Sequence, residues 1–230
     1  MNTTLSLEDI KSNIDNLYNN ILLSKKNAIN NYEYPTIIAV SKNQDTNTII
    51  KAIKCGITNF AENYVQEAYG KWVDIKQQYP FVKLHFIGAL QSNKTAQALE
   101  IFDFIQTIDR VKLARVISKS GVIANKNFFI QVNLDSNKQA GCLIKDIPDL
   151  LLECKNLGLP IVGLMAILPA KNLQINSNHT APYFALLKKL TLENKLQYCS
   201  MGMSDDYLEA VKFGANHLRV GSAIFKKGII

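Results

Sequence analysis

Arginine, histidine and tryptophan are scarce in this sequence of 230 residues: it holds Arg110, Arg115 and Arg219, then His85, His179 and His217, and Trp72 alone of its kind. The shortage of arginine argues against a nucleic-acid partner despite a net charge of +7. The excess is lysine scattered singly, whereas phosphate-backbone recognition favours clustered basic side chains. We read it as solvated surface. The four cysteines, Cys55, Cys142, Cys154 and Cys199, lie far apart with no C-x-x-C, and they are not spaced with the histidines as metal ligands. They are read as reduced packing residues rather than a disulfide framework or a zinc site. No run reaches the roughly 18 apolar residues of a membrane span, and Met1 to Lys11 has no apolar segment of the kind a secretory leader carries. These absences predict a soluble, cytoplasmic protein with no membrane partner.

What is present is an ordinary globular composition, 47% hydrophobic and 20% charged, in a chain long enough for one large α/β barrel or two small domains. Apolar residues at Leu7, Ile10, Ile14, Leu17, Ile21 and Leu22 have helical spacing and predict an opening amphipathic helix. After it, short apolar runs alternate with amphipathic stretches: Thr36 to Lys42, Ile57 to Asn63, Lys83 to Ala89, Asp103 to Asp109, Phe128 to Leu134, Pro160 to Ile167, Gln197 to Ser204, and His217 to Phe225. Such alternation predicts parallel βαβ units, and this many in so short a chain fit a closed barrel better than an open sheet. Little chain follows the last run, so the N-terminal helix is expected to cover the place of the missing final helix. The fold class expected is thus α/β, a single-domain (β/α)8 TIM-type barrel, with the N-terminal helix in residues 1–34 and the barrel in 36–225. Lys171 to Thr180, rich in Asn, is the candidate loop over the barrel mouth.

Barrels of this class carry their chemistry where strands end. Lys42 closes the first run, and an amine desolvated at a barrel mouth is a nucleophile toward an aldehyde, a Schiff-base environment. By position alone, a strand-end lysine reaching to water explains it as well. The small-residue turns Ser200-Met201-Gly202-Met203-Ser204 and Gly221-Ser222 follow the seventh and eighth runs, where barrels build phosphate cups from backbone N–H groups and hydroxyls. Together they point to a phosphorylated ligand. Arg219 shares a strand face with Gly221 and would face that ligand, or else pair with Asp205 or Asp206 at the surface. Asp109, Asp205 and Asp206 are read as helix caps, His85 as a satisfied core or lining histidine, and Trp72, Tyr64 and Tyr69 as packing residues.

Seven blocks, in order, give the chain a resemblance: Ala39-Val40-Ser41-Lys42; Glu62-Asn63-Tyr64-Val65-Gln66-Glu67; His85-Phe86-Ile87-Gly88 with Leu90-Gln91-Ser92-Asn93-Lys94; Thr107-Ile108-Asp109-Arg110; Gly163-Leu164-Met165-Ala166; Gly202-Met203-Ser204-Asp205-Asp206; and Arg219-Val220-Gly221-Ser222-Ala223-Ile224-Phe225. It resembles the pyridoxal phosphate homeostasis protein family, whose fold is related to the N-terminal barrel of alanine racemase. The resemblance implies pyridoxal 5'-phosphate as cofactor, held as a Schiff base on Lys42. It also implies that Ser200, Gly221 and Ser222 hold the phosphate, with Ser204 adding a contact, that Arg219 approaches the pyridine nitrogen, and that Asn63 and Met165 line the ring pocket. A monomer acting in vitamin B6 and amino-acid homeostasis without catalytic turnover is implied, with pyridoxal-phosphate-dependent apoenzymes as possible recipients. Ala61, Ala89, Ser222 and Lys226 depart from the usual family residues, and Ser222 keeps the hydroxyl of the usual Thr. The same barrel also serves fold-type III racemases and decarboxylases, which need a second acid-base group that no residue here clearly supplies. A barrel enzyme acting on a phosphorylated sugar is the third reading.

Overall fold

A computed structural model describes residues 5–28, 33–134, 140–168 and 180–227. Helix α1 (Leu7–Lys26) starts where Ser6 and Asp9 form a reciprocal capping box, and it buries Ile10, Ile14, Leu17 and Ile21. Leu7 and Leu22, also expected on the apolar face, are exposed. Eight parallel strands follow: β1 (Thr36–Val40), β2 (Asn59–Glu62), β3 (Lys83–Phe86), β4 (Phe104–Ile108), β5 (Asn127–Asn133), β6 (Ile161–Met165), β7 (Tyr198–Ser200) and β8 (His217–Val220). Each pairs with the next, and β8 returns to β1 through Thr36 opposite His217 to Ala39 opposite Val220. The barrel is therefore closed and has no free edge. Cys142–Leu143 adds a two-residue pairing on β5 that the sequence did not announce.

Between strands run α2 (Thr46–Lys54), α3 (Val65–Gln78), α4 (Thr95–Ile101), α5 (Val111–Lys119), α6 (Ile147–Asn156), α7 (Ala181–Glu193) and α8 (Tyr207–Lys212), with α9 (Ser222–Phe225) after β8. The expected eighth run was too long: it stops being strand at Val220, and its apolar tail turns into α9. The missing outer helix is replaced by α1. The Asn13 side-chain amide donates to the carbonyls of Ile224 (2.9 Å) and Lys226 (3.0 Å), and Ser24 donates to that of Leu208 (2.5 Å). The expected mouth loop, Lys171 to Thr180, falls outside the described residues except for Thr180, as does 137–139 of the loop before Gly141. Among the described residues no helix is long and apolar enough to cross a membrane.

Strand alternation sorts the side chains into two environments. Ile37, Ala39, Phe60, Leu84, Phe86, Ile105, Phe128, Ile130, Leu164, Leu218 and Val220 face the helices and belong to one continuous apolar core. The interleaved residues face the barrel axis, and there the filling is polar and aromatic. His85 stacks on Phe104 with ring centres 4.2 Å apart, and His217 stacks on Tyr198 at 4.9 Å. Gly163 lets this layer close: a Cβ there would lie 2.2 Å from the Tyr198 carbonyl and 2.5 Å from the Phe129 ring.

Candidate functional site

The C-terminal ends of β1, β2, β6, β7 and β8 converge on one mouth, where most of the residues singled out in the sequence stand. Lys42 lies in the turn after β1 and is exposed, so the desolvated amine expected from the sequence is not what the structure shows. The β1–β2 register ends at Val40 opposite Ala61, two residues before Lys42, so the lysine stands past the end of the strand. Its backbone is nevertheless firmly held. Asn43 takes a left-handed conformation (φ 62°), and its N–H donates to Glu67 (2.9 Å). The Lys71 ammonium from α3 donates to the carbonyls of Ser41 (3.1 Å) and Gln44 (3.4 Å) on either side of Lys42.

Lys71 is itself anchored by two carboxylates, Glu62 at 2.8 Å and Glu67 at 2.9 Å. The Glu62 side chain is fully buried at the end of β2, and the same oxygen accepts from Ser41 (2.7 Å) and from the Trp72 indole (3.1 Å). Trp72 thus packs as expected, with its N–H satisfied. Tyr64 and Tyr69 do not: they are 65% and 39% exposed, Tyr64 standing just before α3 and Tyr69 within it. Burial works to raise the Glu67 carboxyl, but the bonds from Lys71 and Asn43 outweigh it and hold the group below its ordinary value.

Across the mouth, the turns after β7 and β8 are joined by one hydroxyl. Ser204 Oγ accepts from the N–H groups of Gly221 (3.1 Å) and Ala223 (3.2 Å), so two donors at the entry to α9 converge on a single oxygen. Converging backbone donors of this kind are what a phosphate oxygen binds. Ser222, between them, is exposed. Gly202 has φ +87°, which an L side chain rarely adopts, and shapes the turn that presents Ser204. Asp206 does not cap α8: its carboxylate reaches back to the Met203 N–H (2.6 Å) and closes that turn. Burial pushes the Asp206 carboxyl up, against that bond. Asp109 likewise caps nothing, pairing with the neighbouring Arg110 instead.

Ser200 stands elsewhere than expected. As the last residue of β7 it points inward, and its hydroxyl accepts from Arg219 Nη1 (2.7 Å) and donates to Gln106 Oε1 (2.7 Å). Its hydroxyl is occupied inside the barrel by these two partners. Arg219 is 2% exposed, which removes the surface-pair alternative, and Nη2 donates to the Ala166 carbonyl (2.7 Å). Burial lowers this guanidinium to about 10, opposed by the charge of Asp206. Met165 is fully buried one residue after the outward Leu164, and so lines the inside. The Asn63 side-chain oxygen is buried with no partner among the described residues, at the same mouth. An acceptor left so is a place where a ligand donor fits. Gly88 packs against the same residue: a Cβ there would lie 1.9 Å from the Asn63 carbonyl.

The sequence reading missed Lys71, Glu62, Gln106 and the Ala223 N–H. The one signal for Gln106 is an amide in the middle of the Phe104-Ile105-Gln106-Thr107-Ile108 strand run.

Residues 12–227 match the family described as alanine racemase, N-terminal domain. The chain is 34% identical over 225 residues to the pyridoxal phosphate homeostasis protein of Haemophilus influenzae, covering 94% of this chain and 95% of that one. It is 32% identical over 228 residues to the protein of the same name from Escherichia coli K12, covering 95% and 97%. Among solved structures, PipY of Synechococcus elongatus with pyridoxal phosphate bound superposes with a TM-score of 0.80 at 30% identity, covering 94% of this chain and 99% of that one. D-threo-3-hydroxyaspartate dehydratase from Delftia shares the fold at 15% identity and a TM-score of 0.68, over 96% of this chain and 60% of the enzyme.

Proposed function

Since the chain belongs to the pyridoxal phosphate homeostasis protein family, built on the alanine racemase N-terminal barrel, we propose that it binds pyridoxal 5'-phosphate at the barrel mouth and maintains the cellular supply of that cofactor. When bound, the cofactor supplies an aldehyde that a lysine amine can hold covalently, and Lys42 is the residue assigned to it. The observation that carries the reading is the convergence of the Gly221 and Ala223 N–H groups on the Ser204 hydroxyl oxygen, with Gly221 two residues beyond a buried Arg219.

The chain's own residues divide the work by chemistry. Gly221, Ser222, Ser204 and the Ala223 N–H would hold the phosphate, the Ser204 hydroxyl turning from acceptor to donor as the anion takes the two N–H groups. Arg219 would face the ring nitrogen and, as a cation with no acceptor, keep a proton off it. That weakens the ring as an electron sink and suits holding over turnover. Asn63 would accept from or pack against the ring substituents, and Met165 would cover an apolar edge. Ser200 is reassigned from the phosphate to the support of Arg219. We read residues 1–230 as one such domain, a cytoplasmic monomer that passes cofactor to dependent apoenzymes and is not itself a catalyst. Support for the last point is that curated relatives bearing the homeostasis name match this chain over nearly their whole length.

The test is a visible spectrum with added pyridoxal phosphate, before and after borohydride, on wild type and Lys42→Ala. A reducible chromophore that leaves a pyridoxyl mass on Lys42 and is lost in the variant is expected; identical spectra would sink the assignment. Racemisation of an amino acid by the loaded wild type would move the protein to the enzymes of this fold.

A further inference from the structure

The inward face of the barrel holds a continuous file of polar side chains. Arg219 Nη1 donates to Ser200 Oγ (2.7 Å), Ser200 to Gln106 Oε1 (2.7 Å), and Gln106 Nε2 lies 2.9 Å from His85 Nδ1, whose Nε2 lies 3.1 Å from Asn59 Oδ1. Ser200, Gln106 and His85 are wholly buried. Asn59, the first residue of β2, is half-buried at the opposite end of the barrel from the mouth.

The bonds in this file run in one direction. A guanidinium has donors and no acceptor, so Ser200 must accept from it, and its single proton goes to Gln106 Oε1. That fixes the Gln106 amide with oxygen toward Ser200 and NH2 toward His85. His85 Nδ1 is then an acceptor, and its proton sits on Nε2, aimed at Asn59. Burial, with the neighbouring His217 adding to it, holds the His85 ring well below its ordinary value and therefore neutral, as this polarity requires. Every hydrogen in the file points away from Arg219.

Stability alone does not call for such a file. Barrels commonly fill this space with branched apolar side chains, and buried polar groups add nothing over them unless every member is satisfied. With Nη1 tied to Ser200 and Nη2 to the Ala166 carbonyl, the plane of the guanidinium is set from two sides. We propose that Gln106, backed by His85 and Asn59, is a positioning residue that acts through Ser200 to fix the Arg219 guanidinium toward the ring nitrogen of the bound cofactor. This rests on the function proposed above.

The experiment uses nitrogen-15 NMR on the wild type, with and without cofactor, and on two variants. In the wild-type protein without cofactor, long-range proton–nitrogen spectra should show His85 neutral with its proton on Nε2; a proton on Nδ1 overturns the polarity without any variant. With ring-labelled [15N]pyridoxal phosphate, wild type should give an unprotonated ring nitrogen. Gln106→Leu should still leave a pyridoxyl mass on Lys42 after borohydride, but move the ring-nitrogen resonance toward the protonated position. It should also bind the cofactor about tenfold more weakly, the loss expected when a hydrogen bond orienting a charged group is removed. Thr107→Val, one residue along the same strand and outside the file, should change neither. An unmoved resonance in Gln106→Leu with an unprotonated wild type refutes the positioning role alone. A protonated ring nitrogen in wild type refutes the Arg219 assignment beneath it.

Discussion

Lys71→Met tests the anchor beneath the Lys42 turn. In the native protein the Glu62 side chain is fully buried and that of Lys71 is 14% exposed, with 2.8 Å between their charged atoms. Removing the ammonium leaves Glu62 with only the neutral donors of Ser41 and Trp72 on one oxygen and no partner on the other. Breaking a buried pair by deleting one member costs about 3–5 kcal/mol. Lys71 keeps some solvent, and its second partner Glu67 is 29% exposed, so we take the lower end, about 3 kcal/mol. Urea denaturation should show this as a midpoint lowered by roughly 1 M at an unchanged slope. Borohydride trapping should show reduced pyridoxyl loading of Lys42, because the carbonyls of Ser41 and Gln44 have lost their shared donor. Adding Glu62→Gln removes the stranded charge and should recover at least about 1 kcal/mol. The reasoning fails if Lys71→Met costs less than about 1 kcal/mol, or if the double variant is no more stable than the single.

Acid should destabilise the fold through its buried histidines. Burial, helped by the Arg219 charge, lowers His217 from 6.5 to about 4, so the unfolded chain takes up the proton first. The stabilisation is complete above pH 6.5 and is lost as pH falls toward 4, at about 1.4 kcal/mol per pH unit for each such histidine. His217→Phe should flatten that slope by one proton's worth in denaturation curves taken between these limits; an unchanged slope would show that His217 is not the group responsible. Gly163→Ala should cost about 3 kcal/mol by overpacking against the Tyr198 carbonyl and the Phe129 ring, and a near-neutral calorimetric result would mean the layer yields. Among the thiols, burial pushes Cys142 up to about 12 and Cys154 and Cys199 up to about 11, while Cys55 is only half-buried. A thiol reagent at pH 8 should label Cys55 first and the other three only on unfolding, as mass spectrometry of the partly labelled protein would show.

The barrel was legible because each strand is a short apolar run bounded by polar helical stretches, and that alternation survives without knowledge of contacts. Strand ends were less so. Ala223-Ile224-Phe225 looks like more strand, and only the turn at Gly221 with Asn13 waiting to take the Ile224 carbonyl makes it helix. The position of the candidate site was legible where geometry depends on backbone, as at the turn around Gly221, whereas Lys42, expected to be desolvated, is exposed. It was misread where direction decides. Ser200 and Ser204 look alike in sequence, but one is the inward residue of β7 and the other lies beyond the turn at Gly202. Gln106 carried only the signal of an amide within a strand, and Lys71 only its i,i+4 spacing from Glu67, because their other partners are brought near by the winding of the barrel.

The seam that closes the barrel has a consequence for how the protein is made. Asn13 must find the Ile224 carbonyl 211 residues away, and β1 has no partner on one side until β8 exists. At about 5–20 residues per second, a ribosome needs roughly 10–40 s to travel that far. Throughout that interval β1, with Ile37, Ile38 and Ala39, is an unpaired apolar edge of the kind that recruits neighbouring chains. Closure over so long a loop is also slow. The growing chain is therefore at its most vulnerable before its last strand emerges, and defects in β8 should be felt first as insoluble yield.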